Sequence, residues 1–209
     1  MPTNCTPKAC LLAIALLSLL STRAQFHFGI KAGVSVSNIS ERTTLTNKTD
    51  YHSRVMGIGG FFAHINLGQK LLLRPELVLT GKGAKTKYTY YYTYNTTTTQ
   101  YERTVRVTFS YVDIPINLLY AIPFGQKTPL GQKKLLAGGG PVISFLLNKH
   151  ANYGMGTNDL GANLLLLYEW PIGFSIGVNY MQGIKDITYN YNSNTTKNHY
   201  TGFTIGYWF

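Results

Sequence analysis

The chain carries few residues able to do chemistry. Five histidines and eight acidic side chains are spread over 209 residues, and both cysteines, Cys5 and Cys10, fall within the first ten. Nucleophilic or metal-assisted catalysis would have to draw on His27, His52, His64, His150 and His199. These stand singly, without the ligand spacing from which zinc sites are built. Asp50, Ser53 or Asp159 could approach His52, His150 or His199, but a triad is recognised by geometry and nothing here fixes one. No catalytic residue, cofactor or metal is therefore expected.

Six charged residues stand out for the company they keep. Lys31, Arg74, Glu76, Lys82, Arg106 and Glu169 interrupt stretches in which apolar residues alternate with small or polar ones. All six are expected on the polar face of their strands. An unpaired buried charge is very costly, so Glu76 and Glu169 should pair with neighbouring cations. Such a network is a structural filling for an interior rather than a path for ions.

The elements that must position these residues are strands, because side chains of a strand alternate between its two faces. Phe26, Phe28, Ile30, Ala32, Val34 and Val36 share one face, against His27, Gly29, Lys31, Gly33, Ser35 and Ser37. This is a strong period-two signal. A second strand, Tyr51 to Ile65, puts Val55, Gly57, Gly59, Phe61, Ala63 and Ile65 together, with Met56, Ile58 and Phe62 opposite. After a tight turn at Asn66–Gln69, a third sets Leu71, Leu73, Pro75, Leu77 and Leu79 against Arg74, Glu76, Thr80 and Lys82. The fourth, Thr104 to Ala121, changes parity, from Val105, Val107, Phe109 and Tyr111 to Val112, Ile114, Ile116, Leu118 and Tyr120. One extra residue in a β-bulge would produce that switch. Residues 122–133, with Pro123, Gly125, Pro129 and Gly131, read as a connection. Strands at Lys134–Leu147, Leu160–Tyr168, Phe174–Tyr180 and Thr201–Phe209 complete eight.

The connections alternate between polar and short, as in outer-membrane barrels with long extracellular loops and short periplasmic turns. The expected fold is all-β: an eight-stranded antiparallel transmembrane β-barrel, an up-and-down meander with both termini periplasmic. A soluble lipocalin-type barrel would share the strand count but turn its apolar face inward. Three features favour lipid outside: a polar face rich in Gly and Ser, aromatics near strand ends as in an interfacial belt, and the terminal Phe209. Phe203, Ile205, Tyr207 and Phe209 share one face of the closing strand, which resembles the signal read by the barrel-assembly machinery.

Lys8, the apolar run Ala9–Leu20 and Ser21-Thr22-Arg23-Ala24 form a secretory leader in composition and length. Residues 1–24 are expected to be removed, leaving a cysteine-free barrel domain at 25–209. No other apolar run approaches the ~20 residues of a membrane helix. The net charge of +11 is scattered, with no basic stripe for a nucleic acid, so outer-membrane lipid and lipopolysaccharide are the expected partners. Residues 88–101 are the most biased segment, and Tyr88, Tyr90, Tyr91, Tyr92, Tyr94 and Tyr101 offer contact area to an extracellular ligand or envelope protein.

Five motifs carry a resemblance to a known family. They are Phe28-Gly-Ile-Lys-Ala-Gly-Val34, Arg74-Pro-Glu-Leu-Val-Leu-Thr-Gly-Lys-Gly-Ala-Lys85, Tyr111-Val-Asp-Ile-Pro-Ile-Asn-Leu-Leu-Tyr120, Ala137-Gly-Gly-Gly-Pro-Val142 and Met181-Gln-Gly-Ile-Lys-Asp186. In these the chain resembles the PorT-like outer-membrane barrels of Bacteroidetes. The resemblance implies a barrel in the outer membrane of a Gram-negative bacterium, with no shared catalytic set. It also raises a small pore or a secretion-associated component as an alternative to a structural or loop-mediated role, with a lipid-modifying enzyme behind both.

Overall fold

The computed structural model describes residues 26–42, 51–94, 97–129, 131–150, 158–186 and 195–209. The side chains of 41, 42, 88–98, 149 and 150 lie outside that description. The expected leader also lies outside it.

Among the described residues nine strands occur in chain order: β1 (Phe26–Arg42), β2 (Tyr51–His52), β3 (Arg54–Asn66), β4 (Leu71–Tyr94), β5 (Thr97–Thr128), β6 (Gly131–His150), β7 (Asp159–Glu169), β8 (Phe174–Gly183) and β9 (Thr195–Trp208). All pairings are antiparallel, and β1 pairs with β9 from Gly29↔Trp208 to Arg42↔Thr195. Because β4 also pairs with β5, the sheet closes on itself. β2 is a two-residue piece separated from β3 by Ser53, and the two together make one wall strand. The architecture is thus an eight-membered barrel wall with its second strand broken. Closure reaches the last residue, where the Phe209 amide donates to the Phe28 carbonyl at 2.8 Å.

The alternation read from the sequence sets which side chains face out. Phe28, Phe61, Leu77, Leu79, Leu164, Ile176, Phe203 and Ile205 are all at least 44% exposed. Apolar surface of this extent cannot face water on a monomer; in a closed barrel it is the lipid band. Tyr168, Trp170 and Phe174 stack in series at the short-turn end, with centroids 4.3 and 5.3 Å apart. They form part of an interfacial girdle.

Two local expectations are corrected, and β4 takes up Pro75. The β4–β5 ladder keeps one register from Leu71↔Tyr120 to Tyr94↔Thr97, so β5 contains no bulge against β4. Val107, Phe109 and Tyr111 instead face inward with Asp113 and Asn117. The apparent switch arose because the lumen at that level is filled with apolar side chains, so both parities read as greasy. The extra residue sits in β6, where the β5 partners jump from Asn148 to Leu146. Residues 122–133 are likewise not a loop. β5 and β6 continue through Ile122↔Leu135 and Phe124↔Lys133 to a turn after Thr128. Gly125, at φ 76°, takes up part of the shift in register. Pro75 is accommodated within the wall, not at an edge. It pairs with Ile116 of β5, while the β3 ladder skips from Phe62↔Glu76 to Ile65↔Leu73 around the missing donor.

Candidate functional site

The lumen is the first place where chemistry could reside, and it is packed. At the long-loop end Ile39, Ala84, Val107, Phe109 and Tyr111 form an apolar plug. At the short-turn end Leu72, Leu119, Ala121, Leu136, Leu165 and Leu167 form another. Between them lie polar groups and a third apolar cluster, Ile58, Val78, Val142, Met181 and Tyr200.

In the lower half, β4 delivers Arg74 and Glu76 from successive inward positions. Arg74 Nε donates to Glu76 Oε1 at 2.7 Å, and Lys31 of β1 donates to the other oxygen of the same carboxylate. Arg74 Nη1 lies 2.8 Å from His64 Nε2. A guanidinium only donates, so His64 accepts there and its proton sits on Nδ1, which faces Glu169 Oε2 at 3.7 Å. The guanidinium also lies over the Phe62 ring, 3.7 Å from the centroid. A run of amides crosses the lumen beside it: Asn163 donates to Asn117 at 2.9 Å and Asn179 donates to Asn163 at 3.2 Å. Asn163 and Asn117 can meet across β6 because the intervening residue is Gly140, where a Cβ would fall 1.8 Å from the Ile116 carbonyl oxygen.

In the upper half Lys82 is the hub. Its Nζ is 2.9 Å from Asp113 Oδ1, 2.8 Å from Ser144 Oγ and 4.0 Å from Asp159 Oδ2. Thr80 and Tyr200 both donate to Asp113 Oδ2, at 2.9 and 3.3 Å. The ammonium is also 4.6 Å from the Tyr111 ring centroid. Charges buried at this depth persist only when paired and hydrogen-bonded, and Lys82 and Asp113 are both fully enclosed.

Of the six charged residues expected inside, Lys31, Arg74, Glu76, Lys82 and Glu169 are there. Arg106 is not: it is exposed on the outer face, opposite Lys85. Its neighbours Val107 and Phe109 occupy the inward parity that the supposed bulge had assigned to it. Asp113, Asp159 and His64 belong to the interior as well. Asp113 is legible as the polar member of Tyr111-Val-Asp-Ile, whereas Asp159 precedes the alternation that starts at Leu160 and carries no such mark.

The histidines assemble no triad among the described residues. Asp159 accepts from Asn198 at 3.5 Å and turns toward Lys82. Ser40 Oγ and His199 Nδ1 are 3.1 Å apart on the outer rim, but no described carboxylate completes them. His52 is exposed, and the His150 side chain is outside the described set. Among the described residues no three His, Cys, Asp or Glu converge as metal ligands. A cavity of about 230 Å³ lies at the short-turn end, lined by His27, His64, Lys70, Lys134, Glu169 and Trp208 among others.

The outer surfaces carry the remaining candidates. Phe203, Ile205, Tyr207 and Phe209 are all exposed on one face of the closing strand, as expected. Tyr101 is exposed, and the β4–β5 backbone ladder continues to Tyr94↔Thr97. The side chains of Tyr88, Tyr90, Tyr91, Tyr92 and Tyr94 lie outside the described set.

Solved structures with similar folds are small outer-membrane barrels. Neisserial surface protein A matches with 13% identity over 87% of this chain and 97% of its own, at a TM-score of 0.45. OprG of Pseudomonas aeruginosa matches with 10% identity over 90% and 97%, at 0.47. Ail, the attachment invasion locus protein of Yersinia pestis, matches with 13% identity over 88% and 99%, at 0.43. Likeness at this level carries nothing about role. No curated protein matches the chain in sequence. The family model for the outer membrane protein beta-barrel domain, by contrast, matches residues 21–203, nearly the whole chain. The packed lumen, the lipid-facing wall and this match agree: the chain belongs to the outer membrane protein beta-barrel domain family and is an integral protein of the Gram-negative outer membrane.

Proposed function

We propose that this protein is a non-enzymatic barrel whose role is structural or adhesive, exerted through its extracellular surface and above all through the β4–β5 hairpin. One observation carries the reading. Among the described residues, β4 and β5 stay paired to Tyr94↔Thr97, while the last links to neighbouring strands are Tyr51↔Thr86 on one side and Thr108↔His150 on the other. Residues 87–94 thus extend beyond the described part of the wall by about 26 Å at ~3.3 Å per residue. Tyr and Thr supply a rigid amphipathic surface there at low entropic cost. The doubly plugged lumen supports a role without ion conduction or catalysis.

Export by a cleaved leader at residues 1–24, insertion through the closing strand by the barrel-assembly machinery, and contact with lipopolysaccharide follow from the same reading. Membership of the narrower PorT-like group of Bacteroidetes is supported by the five sequence motifs, and we attach no secretion role to it. The test is deletion of residues 89–102 from the full chain displayed on cells. The barrel should insert unchanged, and attachment to protein- and glycan-coated surfaces should fall to that of cells without the protein. Undiminished attachment would contradict the proposal.

A further inference from the structure

In the extracellular half of the wall β3 parts from β4. β3 pairs with β4 only as far as Ile58↔Thr80, and pairing resumes with β2 at His52↔Lys85. Between these points residues 54–57 remain paired to β1 but leave β4. They lie against its outer surface. A Cβ added to the outward-facing Gly81 would fall 2.5 Å from Met56 Cε and 3.0 Å from Met56 Cβ. Arg54 passes across β4 and donates to Thr108 Oγ1 of β5. The β4 amide left without a strand partner, that of Gly83, donates instead to Ser37 Oγ of β1 at 3.0 Å.

The overlap requires a flat outer face on β4, and Thr80-Gly81-Lys82-Gly83 supplies it. Gly83 has φ 143°, and a Cβ there would sit 2.1 Å from the Val107 carbonyl oxygen. Gly81 leaves room for Met56 of the overlying segment, and Gly83 lets β4 lie close against β5.

Arg54 thereby joins a row of like charges. His52 stands opposite Lys85, which stands opposite Arg106, on one register line across β2, β4 and β5. Thr108, which holds Arg54, is two residues from Arg106 on the same face, and Lys87 is two residues above Lys85. Among the described residues, none of these cations is in a salt bridge. Like charges directly opposite on a sheet repel, so this arrangement calls for an anion. Further down the same face of β4, beyond Gly83 and Gly81, the exposed Leu79 and Leu77 belong to the lipid band.

We infer that Arg54, Lys85 and Arg106 form a phosphate-binding site on the outer wall, occupied by the phosphorylated headgroup of an outer-leaflet glycolipid. Arginine binds phosphate through paired donors, and lysine as a compact charge. The acyl chains of the same lipid lie along the apolar wall beneath. A soluble anion would gain nothing from that wall. The site lies below the hairpin tip, so deletion of residues 89–102 leaves it intact and the two proposals fail independently.

The detergent-solubilised full-length protein would be titrated with diphosphorylated lipid A and with the same glycolipid after dephosphorylation, with bound lipid counted by native mass spectrometry. Arg106→Gln and Lys85→Gln should each weaken binding of the phosphorylated form about tenfold, the loss of one charge-assisted contact. The triple variant with Arg54→Gln should bind it no better than wild type binds the dephosphorylated form. Lys133→Gln, at the opposite end of the barrel, should change nothing. Heat-modifiable gel mobility would confirm that each variant is folded. Equal affinity of wild type and folded triple variant, equal affinity for both glycolipids, or an equal loss in Lys133→Gln would overturn the assignment.

Discussion

Lys82 of β4 and Asp113 of β5 meet at 2.9 Å in the middle of the lumen, both closed off from solvent. The pair is knitted to four strands by Thr80, Ser144 and Tyr200. Any conducting path would have to break it. Its surroundings turn a cylinder with a polar inner face into a solid body.

Removing one member should be far worse than removing both. Lys82→Met or Asp113→Leu alone leaves an uncompensated buried charge and should cost about 3–5 kcal/mol. The double variant should recover most of that loss, since replacing a buried ion pair by apolar groups is often neutral. Urea unfolding of the refolded barrel, followed by tryptophan fluorescence, measures the cycle. Equal single and double losses would mean that the pair is not coupled.

Glu76 is shared by two cations, Arg74 and Lys31. Glu76→Gln should therefore destabilise more than Glu169→Gln, whose ion-pair partner among the described residues is His64 at 3.7 Å. The ranking is read from denaturant midpoints at neutral pH, and the reverse order would contradict this assignment of the lower network.

Gly83→Ala should destabilise the barrel, and by more than the about 0.4–1 kcal/mol that a Gly-to-Ala change contributes to stability where the backbone permits it. It combines a positive φ with a collision against β5. Gly68→Ala, with open space around it, serves as the comparison. Similar midpoints for the two would show that the β3 overlap does not depend on Gly83.

With both ends of the lumen plugged, the protein in a planar bilayer should give no steady unitary conductance. A reproducible open level at neutral pH would restore the pore alternative.

Much of this was legible because the wall obeys a period of two. The outward sets of the first, third and closing strands, from Phe28 to Phe209, fell where the alternation put them. Five of the six interior charges did too. Arg106 failed for a physical reason: Val107, Phe109 and Tyr111 face a lumen that is itself apolar at that height, so greasiness ceased to mark the lipid side. The parity switch read in Thr104–Ala121 has the same origin, and the one extra residue at that level belongs to β6, where it leaves no trace in the β5 sequence. The β3 overlap had a trace in Thr-Gly-Lys-Gly, but glycines in a strand do not reveal which neighbour lies over them. The amide run through Asn117, Asn163 and Asn179 depends on register between distant strands and leaves no local mark.

The central claim is that hydrocarbon wets the outer face while the inner face is sealed. Neighbouring residues of β7 test it together, because Leu164 is 66% exposed and Asn163 only 5%. Residues 25–209 contain no cysteine, so Leu164→Cys and Asn163→Cys can each carry a single spin label in a lipid bilayer. The label at 164 should collide freely with dissolved oxygen and hardly at all with a water-soluble nickel reagent, and the label at 163 should be shielded from both. An oxygen-rich environment at 163 with a water-exposed 164 would contradict the account.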